Sequence, residues 1–278
     1  MTAAPQDRRL LPMANGIAHD SLRGQVAADA FAAGIWHRIS TPLADLCSAP
    51  GGPRDRQLLF GARFSVLTRA GKHAFGFAED DGYCGWIHAE ALGNDHAVTH
   101  WVVALSSHLY PEPDIKTRDI AALPMLARLH VIDEARGMAR TPQGFVPSQH
   151  LRRLDAPQPD PVAVARRFLG VPYLWGGNGP GGIDCSGLVQ AARRACALPC
   201  PGDSDLQRAM PGADVPPGSE APGDLIFWTG HVAMVSTAGR IIHANAHHMA
   251  VAEEPLAEAE ARIAAAGNPV LRRLRPAA

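Results

Sequence analysis

The sequence predicts an α+β protein in which two small all-β units precede a domain whose helices come before its strands. Three observations carry this. Short β-type runs separated by turn residues fill positions 57–92 and recur in a similar arrangement over 99–154. The segment Asp155-Ala156-Pro157-Gln158-Pro159-Asp160-Pro161 then forms a stiff, proline-rich linker. Beyond it, helical patterns over 162–169 and 184–197 give way to strand patterns over 225–235 and 240–246.

The length, 278 residues, suits two or three compact units better than one. With 46% apolar and 19% charged residues, each unit has enough hydrophobic material for an ordinary core. Lys and Arg number 26 against 27 Asp and Glu, with no basic block, which excludes nucleic acid as an expected partner. Residues 1–24 contain no apolar run of the secretory kind, and no stretch is long enough to cross a bilayer. The expectation is therefore a soluble, cytoplasmic protein with no membrane partner. Five cysteines, an odd number, argue against a disulfide framework.

Residues 1–20 read as an arm interrupted by Pro5, Pro12, Asn15 and Gly16. Residues 22–33 suit a short helix or a strand, and Ala49-Pro50-Gly51-Gly52-Pro53 forces a loop. A first barrel is expected over 21–95 and a second over 96–156. Gly82-Tyr83-Cys84-Gly85-Trp86-Ile87 and Gln143-Gly144-Phe145-Val146-Pro147 hint at a duplicated module. The last domain covers 157–278, with its alanine- and glutamate-rich stretch 257–266 expected as a solvated helix.

The chemistry concentrates in that last domain. Asp184-Cys185-Ser186-Gly187 follows a glycine-rich run, 176–182, and opens an apolar-periodic helix. Asp184 is a candidate N-cap, which leaves Cys185 in the first turn, where free N–H groups and the helix dipole favour a thiolate. The same N–H groups suit an oxyanion. A free cysteine is most often just a small buried residue, but this one has a polar, glycine-flanked setting. His231, opening the apolar run Val232-Ala233-Met234-Val235, would alone be a strand-end histidine. The turn Ser236-Thr237-Ala238-Gly239 brings His243 back within a residue or two of it. A second imidazole there can orient the first, as the third member of a triad does.

Together, Pro172-Tyr173-Leu174-Trp175-Gly176-Gly177, Asp184-Cys185-Ser186-Gly187, Gly230-His231-Val232 and Ile242-His243-Ala244 resemble the signature blocks of the NlpC-type cell-wall peptidases. The resemblance covers most of 160–278. It implies a papain-like catalytic fold with Cys185, His231 and His243 as catalytic residues, and Tyr173, Asp184 and Ser186 beside the substrate. The β-rich segments resemble the bacterial SH3-type barrels that precede such domains. That architecture is similar to the γ-D-glutamyl-L-diamino acid endopeptidases of peptidoglycan peptide recycling. By that likeness the partner is a peptidoglycan-derived peptide with a free N-terminal L-Ala, bound through Asp203, Ser204 and Tyr83, with Gln207 close by. Ala62 stands where related barrels carry an acidic residue, which leaves the substrate amine to Asp203 and Tyr83.

No metal or cofactor is expected. His243, His247 and His248 lie close together and Cys196 and Cys200 are four apart, but no Cys-x-x-Cys pair is present and prolines flank Cys200. A non-catalytic wall-peptide receptor is the rival of a different class; retention of Cys185, His231 and His243 favours an enzyme. A hydrolase of intact wall shares the same acyl-enzyme chemistry.

Overall fold

The computed structural model describes residues 7–277. Positions 1–6 of the expected arm lie outside the described residues. The chain divides into two compact units, 1–154 and 155–278.

In the first unit, part of the arm is built into a sheet: Met13–Ala14 and Ile17–His19 pair with each other, and the latter pairs in parallel with Ala30–Ala32. A seven-stranded sheet follows, in the order Leu92–Asn94, Ile35–Ile39, Arg63–Ala70, His73–Ala78, Cys84–His88, Leu43–Cys47, Arg54–Leu59. Its two outer strands do not pair, so the sheet is open. Downstream, Pro111, Pro113, Pro124, Pro142 and Pro147 cut the strands into two- and three-stranded ladders, because proline cannot donate to a ladder. The strand pairing thus gives sheets that are not closed, in place of the expected pair of barrels. The two β-rich segments also share a core: Phe60, from the first, packs with Val102, Leu109, Leu123, Leu129 and Val146 of the second. The Arg128 N–H donates to the Phe60 carbonyl at 2.9 Å. The duplicated pattern does have a structural counterpart. Cys84–His88 and Gly144–Pro147 are each followed by a three-residue 3-10 turn and a short strand.

The second unit is α+β. Helix α1, Pro161–Arg166, is capped by the Asp160 carboxylate, which accepts from the Val162 N–H at 2.8 Å. Helix α2, Cys185–Ala195, is buried along nearly its whole length, and α3, Ser204–Arg208, follows. An antiparallel six-stranded sheet runs Gly212–Asp214, Arg272–Pro276, Leu225–Trp228, His231–Thr237, Arg240–Asn245, Ala250–Pro255. Helix α4, Leu256–Ala265, is the stretch expected to be solvated. The helix forms, with Ala257, Glu258, Ala261, Ala264 and Ala265 exposed, but its other face is packed: Leu256 and Ala259, with Ile263, form an apolar stripe against Ile226, Trp228, Ala233, Val235 and Ile241. Among the described residues no helix is long and apolar enough to cross a membrane. All five cysteines are free thiols.

Candidate active site

The start of α2 is fixed by one carboxylate. Asp184 accepts from the Gly187 N–H at 2.6 Å and the Ser186 hydroxyl at 3.0 Å through Oδ1, and from the Gly176 N–H at 2.9 Å through Oδ2. It therefore caps the helix and ties it to the glycine-rich loop at once. Burial raises the Asp184 carboxyl against the pull of these bonds, and the charge of Asp203 adds to the rise. Two glycines are needed for the closeness: a Cβ on Gly187 would lie 2.7 Å from the Gly177 carbonyl, and one on Gly177 2.5 Å from that of Gly182. The cap places Cys185 as the first helical residue, buried at 6% exposure.

The backbone N–H groups of Val232, Ser186 and Cys185 itself act on the Cys185 sulfur in the direction of the thiolate. Burial, joined by the Asp184 charge, outweighs them and pushes the thiol up to about 12. Burial thus opposes the lowering expected from the helix N-terminus. The Val232 contact also locates His231. The ladder between His231–Thr237 and Arg240–Asn245 runs from Thr237↔Arg240 only to Met234↔Ile242, and beyond it the Val232 N–H turns to the thiol. His231, one residue earlier, stands at the same strand end.

Extending the Met234↔Ile242 register sets Ala233 opposite His243, two residues from His231 and on the same face. The imidazoles meet: His231 Nε2 and His243 Nδ1 are 2.8 Å apart. Burial holds both neutral, lowering His231 to about 3 and His243 to about 4. The chain of contacts continues past the two histidines. His243 Nε2 lies 2.7 Å from Glu254 Oε1, and Arg262 of α4 donates to both carboxylate oxygens, Nη1 to Oε2 at 2.7 Å and Nη2 to Oε1 at 2.6 Å. Burial alone would raise Glu254, but its bonds with Arg262 and then His243 bring it down to about 2. Glu254 and Arg262 were not singled out from the sequence. The available signal was that the strand after His243 returns a carboxylate to the same sheet face.

The other expected site residues are less uniform in position. Tyr173 is half-buried, and burial, then the Cys185 and Asp184 charges, push its hydroxyl up to about 12. Ser186 is directed at Asp184. Asp203 precedes α3 without capping it, and Ser204 opens that helix. Gln207 is fully buried, its amide nitrogen donating to the carbonyls of Ser186, Pro201 and Gly202. Gln207 therefore holds α3 against the first turn of α2. Tyr83 belongs to the first unit, its ring 5.1 Å from the Arg56 guanidinium and its N–H donating to Asp81 at 3.2 Å. His243, His248 and Glu254 bring ligand atoms within 4.8 Å of one another. Within this cluster His243 and Glu254 are hydrogen-bonded to each other, and Arg262 donates to both Glu254 oxygens.

A buried thiol on a helix start, with imidazoles delivered by an antiparallel sheet, is the layout of a thiol-hydrolase centre. Residues 170–262 match the NlpC/P60 family and residues 46–92 the bacterial dipeptidyl-peptidase SH3 domain, so the chain carries an NlpC/P60 domain behind an SH3-type one. It is 36% identical over 93 residues to the gamma-DL-glutamyl hydrolase of Bacillus subtilis, spanning 30% of this chain and 22% of that one. To dipeptidyl-peptidase 6 of Lysinibacillus sphaericus it is 33% identical over 84 residues, 30% of this chain and 31% of the other. The matched part is thus less than a third of either relative. An NlpC/P60 family protein from Bacillus cereus shares the fold with a TM-score of 0.74, at 21% identity, over 87% of this chain and 99% of that one.

Proposed function

We propose that the protein is a cysteine endopeptidase that hydrolyses the bond between γ-D-Glu and an L-diamino acid, meso-diaminopimelate or lysine, in peptidoglycan-derived peptides with a free N-terminal L-Ala. The observation that carries this is the Cys185 thiol under the N–H of Val232, the residue after His231 of the His231–His243 pair, in an NlpC/P60 domain. The names of the two relatives, a γ-glutamyl hydrolase and a dipeptidyl-peptidase, support the choice of bond.

In this mechanism Cys185 Sγ attacks the γ-carbonyl carbon of D-Glu while His231 takes the thiol proton. Attack and proton transfer are coupled because both groups rest neutral. The N–H groups at the start of α2 stabilise the oxyanion. Collapse breaks the C–N bond, His231 returns the proton to the departing diamino-acid nitrogen, and a thioester remains. Water, deprotonated by the same imidazole, then attacks the thioester; the carboxylic acid leaves and Cys185 recovers its proton. Asp203, whose charge already reaches Asp184, binds the substrate ammonium. Substrates of this size suit recycling of free wall peptides in the cytoplasm.

The test is digestion of L-Ala-γ-D-Glu-meso-diaminopimelate peptides by the whole protein and by its Cys185→Ala variant, followed by mass spectrometry. Release of L-Ala-γ-D-Glu by the first and not the second is expected. Equal release by both would remove Cys185 from the chemistry.

A further inference from the structure

We infer that Glu254, held by Arg262, is a positioning residue that sets the tautomer of His243 and, through it, that of His231. The inference rests on the thiol-peptidase reading of the same site and adds to it two members outside the Cys185, His231, His243 set.

Two neutral imidazoles meeting at 2.8 Å must have one N–H and one lone pair between them. Nothing in that contact decides which ring donates. If His231 donates through Nε2, its Nδ1 is bare and can accept a thiol proton. If His243 donates through Nδ1, His231 carries its hydrogen on Nδ1 and has no lone pair there for the thiol. The other end of the chain of contacts breaks the tie. Glu254 Oε1 is 2.7 Å from His243 Nε2, and an ionised carboxylate can only accept. His243 Nε2 must therefore carry the hydrogen, which leaves Nδ1 as the acceptor and His231 Nε2 as the donor. The opposite tautomer would set a lone pair against a carboxylate oxygen in a pocket where the His243 side chain is 0% exposed.

Arg262 makes that assignment permanent. Its two hydrogen bonds fill one lone pair on each Glu254 oxygen and keep the group ionised, so Glu254 never becomes a donor. The fold supplies the geometry directly. The register His243↔Ala252 and Ile241↔Glu254 places Glu254 diagonal to His243 on one face. Arg262 projects from α4, whose Leu256 and Ala259 clamp the helix to that same face.

The direct test is 15N NMR of the histidine ring nitrogens in the whole protein. His243 should show a protonated Nε2 and an unprotonated Nδ1, and His231 a protonated Nε2. An Nδ1-protonated His243 would overturn the inference, whether or not the protein cleaves any peptide offered to it. The second arm is Glu254→Gln, whose amide can present either an oxygen or an N–H to His243 and so unlocks the tautomer. On a cleaved peptide, kcat should drop on the order of 10- to 100-fold with KM within about twofold, and the His243 resonances should show mixed tautomers. Unchanged kcat in folded Glu254→Gln would refute the role. Arg262→Gln, which keeps the carboxylate, should lose less kcat than Glu254→Gln; a larger loss would assign the effect to packing of α4. Failure of the unsubstituted protein on every peptide would overturn the proposed function, while the ring-nitrogen spectrum would still decide whether Glu254 sets the tautomer.

Discussion

His231 and His243 lie two residues apart across a hairpin whose ladder stops at Met234↔Ile242, and their rings still meet at 2.8 Å. The end of the ladder releases the Val232 N–H toward Cys185, so one irregularity serves both the proposed base and the proposed nucleophile. Because the two rings have different neighbours, their replacement should have unequal effects.

His231→Ala is expected to be close to inactive, since it removes the group proposed to move the proton. His243→Gln should keep partial activity. A glutamine carbonyl can accept from His231 Nε2 while its amide faces Glu254, which preserves the orientation. Steady-state kinetics on one γ-D-glutamyl peptide decides this. A deeper loss in kcat from His243→Gln than from His231→Ala would exchange the two roles.

The Cys185 thiol rests protonated, pushed up to about 12 by burial, so its alkylation should not resemble that of a preformed thiolate. The rate of iodoacetamide modification at Cys185 should keep rising through pH 8 to 9. A plateau from pH 6 upward would mean a standing thiolate–imidazolium pair and would reverse the direction given for both groups.

His243 gives a stability test that does not depend on substrate. Its pKa is lowered from 6.5 to about 4 on folding, so the unfolded chain binds a proton there that the folded chain refuses. The associated stability is complete above pH 6.5 and is lost as pH falls toward 4. Between pH 6.5 and 5 this amounts to about 2 kcal/mol, at about 1.4 kcal/mol per unit. Glu254, lowered to about 2, contributes its own loss only below the ordinary carboxyl range, so it does not confuse this window. Denaturant unfolding at pH 7 and pH 5 should show His243→Gln losing about 2 kcal/mol less than the unsubstituted protein. Equal losses would mean that His243 protonates freely in the folded state.

The centre of the site was legible in the sequence because its parts are local. Asp184 and Cys185 are adjacent, and only Ala238 and Gly239 join the strands of His231 and His243, so spacing alone brings them together. Glu254 and Arg262 were illegible for the opposite reason. Their meaning depends on a second strand register and on the docking of α4, which composition had assigned to solvent although Leu256, Ala259 and Ile263 form a stripe. The direction of the Cys185 shift was missed because a helix N-terminus is visible in a sequence and the depth of burial is not. Phe60 is a parallel case in the first unit: its own run reads as one strand of one barrel, yet its side chain completes the core of the next segment.

In the proposed function Asp203 sets a requirement at the amine end of the substrate. A free L-Ala amine is a cation at neutral pH, and Asp203 stands at the start of α3, close enough to Asp184 for its charge to raise that carboxyl. Two carboxylates this near each other repel, and a bound ammonium relieves the repulsion. An N-acetylated peptide has no charge there, and in intact peptidoglycan the same nitrogen is an amide. Binding either would leave Asp203 desolvated without its cation, a cost on the order of 3 kcal/mol, or about 100-fold in kcat/KM. The comparison is kcat/KM for L-Ala-γ-D-Glu-meso-diaminopimelate and for its N-acetyl form, repeated with Asp203→Ala. The free peptide should be preferred by about 100-fold in the unsubstituted protein, and Asp203→Ala should collapse that ratio mainly by slowing the free peptide. Turnover of the acetylated peptide and of intact sacculi at the rate of the free peptide would refute the amine requirement and favour a hydrolase of intact wall. A preference that survives Asp203→Ala would move the ammonium to another carboxylate.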